Sequence, residues 1–345
     1  MRCLLIISVL AALLCGASGT LLQSTGANPR KERTNQTALD VRLNSLIDLH
    51  YLVRKLASGS GNTPNIDGFK PAVEAARELQ SDLGSALAWG VVEVPLAECQ
   101  SAREAVGAFA ELPETFKFGE RTIQLRQRAV RLAESLVPIE APFLKSIWPQ
   151  HRAALQRVAA KIAAGFAPKE SECLAYMMKH LGMEDPQQQV PVYLVAEAPF
   201  PQGFTHWRRS GGGVCFIGIE ANAGSQLFEA MLHEATHALD LATGGKPTVL
   251  AELRDRLRKA GINEREREFR DVPHTLMFVQ AAETIRRIVD HSHKHYGEVA
   301  GYYAKIPLVA QVEVPVWTAY LDGKLSREEA LAQIITGVLK GRKKE

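Results

Sequence analysis

Cysteine is too scarce in this chain to build a disulfide scaffold. Five occur among 345 residues. Cys3 and Cys15 fall in an N-terminal leader, which leaves Cys99, Cys173 and Cys215 and at most one internal pair. No two stand in a C-x-x-C arrangement, so a cysteine-built zinc site is not indicated. A dominant charge is missing as well. The 41 Lys and Arg nearly offset the 38 Asp and Glu, for a net charge of +3. With the two signs well mixed, nothing argues for a nucleic-acid partner. Beyond the leader no apolar run is long enough to cross a bilayer as a helix, and no internal repeat occurs.

The first residues carry an address. Arg2 precedes the apolar run Cys3–Leu14, and small residues follow at Gly16, Ala17, Ser18 and Gly19. This pattern predicts a secretory signal peptide over 1–19, cleaved after Ala17 or Gly19. Leu14 is too bulky for the usual lipid-attachment box before Cys15, which argues against a lipoprotein anchor. The expected product is secreted or periplasmic. Asn35-Gln36-Thr37 is a glycosylation sequon if the pathway is eukaryotic.

About 325 residues then remain, enough for one large domain or two packed ones. Residues 20–37 are polar and expected to be disordered. Alanine- and leucine-rich helices are predicted over 38–57, 69–90, 98–111, 121–136, 140–165 and 168–182. Strands are predicted at 190–196, 203–208 and 213–219, and helices resume from 225 with breaks near Gly244, Gly261 and Pro307. The expected fold is α+β and mostly α-helical. It comprises a helical region over 38–185, expected to support and gate the site, and a core with a small sheet and C-terminal helical cap over 186–345. The basic tail Lys340–Lys344 is expected to be solvated.

The most specific segment is His233-Glu234-Ala235-Thr236-His237, an H-E-x-x-H motif. Leu227, Ala230, Met231, Glu234, His237, Ala238 and Leu241 recur at helical intervals, and Gly244 and Gly245 supply a stop. Positions four apart on a helix differ by only ~40° around its axis. Two imidazoles at that spacing grip one tetrahedral metal from one side. The glutamate beside the first histidine then reaches a water at the metal and serves as its base.

In this motif and its setting the chain resembles the zincin metallopeptidases, over roughly residues 190–290. The resemblance implies Zn2+ as cofactor, a peptide or protein substrate, and a strand beside the substrate ahead of the motif helix. We assign that role to 213–219. It also implies a third ligand. Asp240 and Thr243 stand where metzincins carry glycine and histidine, which excludes that subgroup. The gluzincin pattern takes a glutamate from a later helix. Glu252, Glu264, Glu266 and Glu268 lie in charge-rich, solvated runs. Glu283 lies in the otherwise apolar stretch Leu276–Ile285, where a lone acid is costly unless paired or metal-bound. Glu283 is therefore the expected third ligand, with pairing to Arg286 or Arg287 as the alternative. Arg287 replaces the aspartate that often follows in the thermolysin-like pattern.

Other side chains are candidates for supporting roles. Asp240, one turn beyond His237, is a supporting contact for the metal ligands or an exposed acid. His274, behind Asp271-Val272-Pro273, is expected at the start of the ligand helix, where it binds the substrate carbonyl or its oxyanion. Tyr296, Tyr302 and Tyr303 are further oxyanion donors or simply packed rings. His291, His293 and His295 are expected to favour a helix C-terminus. The expected activity is peptide-bond hydrolysis with Glu234 as base. The alternatives are an exported zincin-fold binding or scaffold protein without turnover, and a zinc hydrolase of a non-peptide amide.

Overall fold

A computed structural model describes residues 38–342 apart from 61–63, 65, 119–120, 185–188, 200–201, 209–211, 221–223 and 241–246. The expected signal peptide, the polar segment 20–37 and the helix stop at Gly244 and Gly245 lie outside the described residues. In chain order the elements are β1 (Leu39–Leu43), α1 (Ser45–Ala57), α2 (Phe69–Leu83), α3 (Gly90–Ala97), α4 (Ala102–Ala110), β2 (Phe116–Phe118), β3 (Arg121–Ile123), α5 (Leu125–Ser146), α6 (Trp148–Gly165) and α7 (Glu170–Leu181). Then follow β4 (Val190–Val195), β5 (Gly203–Trp207), β6 (Gly213–Gly218), α8 (Ser225–Asp240), α9 (Val249–Lys259), α10 (Arg267–Ile288), α11 (Tyr296–Val299), α12 (Tyr302–Lys305), α13 (Pro307–Leu321) and α14 (Arg327–Arg342). The chain is mostly helical around a small mixed sheet.

That sheet runs β1-β4-β6-β5, with β1, β4 and β6 parallel and β5 antiparallel at one edge. β4 and β6 read Val-Pro-Val-Tyr-Leu-Val and Gly-Val-Cys-Phe-Ile-Gly and are buried along their whole length. Such continuous apolar runs mark strands covered on both faces. Side chains alternate across the pleat. Tyr193, Val195, Phe204, Val214 and Phe216 point into a core shared with α1–α5. Val192, Leu194, Cys215 and Ile217 point into a second core, with α6–α10, α13 and α14. Trp148 packs against both.

Several expectations change here. Residues 39–43, expected within a helix, form β1, whose register with β4 runs from Leu39–Val190 to Leu43–Leu194. Helix starts only after Asn44, whose side-chain oxygen accepts from the Leu46 and Ile47 N–H groups. α5 continues through Pro138 and Pro142 to Ser146, because Leu132, Leu136, Ile139 and Phe143 extend one buried stripe. α6 and α7, grouped by sequence with the N-terminal helices, pack on the α8 side of the sheet. β6 was expected to offer its edge to substrate, but β4 and β5 pair with it on both sides; β5 is the edge strand on that side of the sheet. α10 begins at Arg267, so Pro273 lies inside the helix rather than in its first turn.

Under the sheet a buried polar cluster ties β5 to the N-terminal helices. Glu93 accepts from Tyr51 Oη (2.9 Å) and Arg54, and meets His50 Nε2 (3.1 Å) and His206 Nε2 (2.7 Å). Burial alone raises a carboxyl pKa; the Arg54 charge and the His206 and His50 contacts instead hold Glu93 well below the usual range.

Candidate metal centre and hydrolytic site

α8 lies on β5 and β6. Gly213 lets it approach closely, since a Cβ there would come 2.6 Å from that of Ala238. The phase of α8 turns Leu227, Met231, Ala235 and Ala238 into the core. His233 and His237 fall along its side toward α10, with ring centroids 4.9 Å apart.

α10 brings a third imidazole. His274 lies 4.9 Å from His233 and 5.4 Å from His237, centroid to centroid. One nitrogen from each of His233, His237 and His274 lies within 4.8 Å of the others. The Nε2 atoms of His233 and His274 are 3.2 Å apart, near the ~3.3 Å edge of a tetrahedron with metal–nitrogen bonds of ~2.0–2.1 Å. His274 Nδ1 meets Tyr302 Oη at 3.1 Å. A ligand histidine is commonly fixed through its other nitrogen in this way. Phe278, one turn after His274, stacks on His233 at 3.8 Å. His233 Nδ1 has no partner among the described residues.

Burial, reinforced by the neighbouring imidazoles, lowers the His233 pKa well below its ordinary 6.5. Burial and the His274 charge lower His237 to about 3, and burial lowers His274 to about 4. All three are neutral near pH 7, as metal ligation demands. His233 is buried, whereas His237 and His274 retain partial exposure. The donor set therefore fits a divalent metal that favours imidazole, with an approach from outside.

Glu283 is not in this group. Its oxygens accept from Arg286 Nε (3.0 Å) and Arg287 Nε (3.1 Å), and one meets His295 Nε2 at 3.0 Å. Burial pushes its pKa up, but His295 and Arg286 pull it down to about 2. The reason is helical phase. Nine residues separate His274 from Glu283, about 180° around the axis. When His274 and Phe278 face α8, Glu283 faces away. His274, expected at a helix mouth as an oxyanion donor, instead joins the two motif histidines.

Glu234 sits under β5. Its Oε2 accepts from Thr205 Oγ1 at 2.6 Å, and Oε1 lies 2.6 Å from where a Cβ on Gly203 would be. Burial raises its pKa to about 7 against the opposing pull of the Thr205 hydroxyl. Along β5, Gly218 N–H donates to Gln202 O (2.8 Å) and Arg208 N–H to Gly212 O (3.0 Å). The alternation between these pairs turns the backbone of Phe204 and His206 toward β6. It turns that of Gly203, Thr205 and Trp207 toward the outer edge, where no described strand pairs.

The remaining candidates are otherwise engaged. Asp240 accepts from Thr248 Oγ1 (2.5 Å) and Arg254 (3.2 Å), and so ties α8 to α9. Tyr303 meets His295 Nδ1 at 3.3 Å. His291 meets the Arg286 carbonyl in the last turn of α10, as expected of a histidine at a helix C-terminus. His293 and His295 instead pair with Glu229 and Glu283. Thr205 and Gly203 were missed by the sequence reading. The only sequence signal for them is a glycine opening a short strand shortly before the motif. Compared with protein-family models, with curated proteins and with solved structures, the chain finds no significant match, so function has to be read from the site.

Proposed function

We propose that this chain is an exported zinc-dependent peptidase whose metal is held by His233, His237 and His274, with Glu234 as general base. The observation that carries the reading is the convergence of three imidazoles next to a glutamate lodged under β5, whose outer side no described strand pairs. A divalent metal held there supplies Lewis acidity and a water acidic enough to lose a proton near neutral pH. Glu234 Oε1 takes that proton, while Thr205 Oγ1 fixes Oε2 and so sets the orientation of the carboxylate. The same carboxyl later returns the proton to the leaving amine. The outward N–H and C=O groups of Gly203, Thr205 and Trp207 align an extended substrate by strand addition. Gly203 keeps the space between substrate backbone and Glu234 clear. The edge strand beside the motif helix is the feature most like the zincin core.

Metal analysis and peptide cleavage test the reading together. The purified chain is expected to hold one zinc and cleave a peptide library. His274→Ala loses the metal. Glu283→Gln keeps it. Glu234→Gln keeps the metal and loses about 10²–10⁴-fold in kcat. Full activity in Glu234→Gln rejects the assigned base, and zinc retained in His274→Ala rejects the ligand set.

A further inference from the structure

Between the end of the sheet, α3 and α6 lies a cavity of about 630 Å3, inside the range of about 300–1,000 Å3 that small-molecule sites occupy. Its lining includes Tyr193 and Val214, whose side chains belong to the core opposite the histidines. Three arginines line it from separate elements: Arg42 from β1, Arg152 from α6 and Arg208 just past β5. Arg42 is already committed. It pairs with Asp40 at 2.6 Å and donates to Tyr193 Oη at 3.3 Å. Arg208 Nε is buried and has no hydrogen-bond partner among the described residues. Arg152 is exposed and forms no ion pair among them. Glu98 lines the same cavity on an exposed position, paired with none of the three.

A buried guanidinium nitrogen without a partner is costly, and arginine presents a planar fork matched to carboxylate and phosphate oxygens. We propose that this cavity binds a small anion bearing two oxyanion groups, carboxylate or phosphate, held between Arg152 and Arg208 with Arg42 and Tyr193 as its wall. Tyr193 and Trp148 line the cavity beside the arginines and favour a ligand with an apolar middle. The site does not depend on the metal centre, because none of its lining residues belongs to the histidine group.

The experiment uses the full chain at constant ionic strength, with inorganic phosphate and succinate as probes and chloride as the reference. Calorimetric titration is expected to give saturable one-to-one binding of at least one probe, and the better probe distinguishes the phosphate from the carboxylate source. The double variant Arg152→Gln/Arg208→Gln, with circular dichroism unchanged, is expected to bind roughly tenfold more weakly or worse. Glu98→Gln, which removes the acid from the lining, is expected to bind several-fold more tightly. Arg256→Gln, whose parent guanidinium is held by Glu252 and Glu328, serves as the control and binds as the parent does. No saturable heat with either probe, or equal affinity in the double variant, overturns the proposal. Should the double variant fail to fold, Arg152→Lys alone decides it: weakened binding supports the fork, and parental affinity counts against it.

Discussion

Two buried acids in this chain sit in opposite electrostatic settings. Glu93 is surrounded by cationic and hydroxyl donors and stays ionised. Glu313 on α13 has neither oxygen satisfied among the described residues. Burial, with the Asp271 charge added, lifts its pKa well above the ordinary 4.5. The native state therefore keeps a proton that the unfolded chain loses once pH passes about 4.5. That term favours folding in acid and is withdrawn as pH rises, by about 1.4 kcal/mol per pH unit until the native carboxyl itself titrates. Glu313→Gln is accordingly expected to match the parent in urea unfolding near pH 4.5 and to exceed it in stability at pH 8. A difference independent of pH would show that the carboxyl is not the cause. Residue by residue, Glu283 was visible as a lone acid in an apolar helix and His274 as a histidine near that helix's start. Which of them faces α8 was not visible, because a helix's phase acquires meaning only against a neighbour.

At the scale of elements, β5 is held from both sides. Thr205 bonds the Glu234 carboxylate on one face, and His206 meets Glu93 on the other. The strand that positions the proposed base is thus tied to α1 and α3 through four polar contacts on one buried carboxylate. Removing Glu93 leaves Arg54, which is almost fully buried, without a counter-charge. Glu93→Ala is expected to cost about 3–5 kcal/mol in chemical denaturation, the range for breaking a buried ion pair. A loss below 1 kcal/mol would mean the cluster is hydrated rather than sealed. The strands themselves were legible: the runs expected at 190–196, 203–208 and 213–219 match β4, β5 and β6 within a residue or two. β1 was not legible. Its five residues, Leu-Asp-Val-Arg-Leu, are too short to separate from the helix that follows them.

For the whole molecule, the sheet is the wall between two cores, and β1 comes from the N-terminal part of the chain to pair with β4. Cys99 reports on one core, Cys173 and Cys215 on the other, and all three are buried free thiols. Thiol labelling in increasing denaturant is expected to release all three at one midpoint, as a single cooperative unit requires. Separate midpoints for Cys99 and the other two would make the N-terminal helices an independently folding lobe. This arrangement is also why the helical half reads in sequence as a distinct region: its helices carry ordinary amphipathic stripes, and nothing local in them shows that they share a sheet with the motif.

The sequence by itself determined that His233 and His237 share one side of a helix with Glu234 beside them, because four-residue spacing fixes that at any position in any fold. It also determined the class of the fold and the apolar strands, since these follow from periodicity along a few neighbouring residues. Only the tertiary structure decided that His274 rather than Glu283 completes the histidine group and that β5 rather than β6 lies at an edge of the sheet. Both outcomes depend on partners far away along the chain, the face of α8 for one and the pairing of β4 with β6 for the other. Spacing along a chain records local geometry and is silent about which distant surface an element will meet.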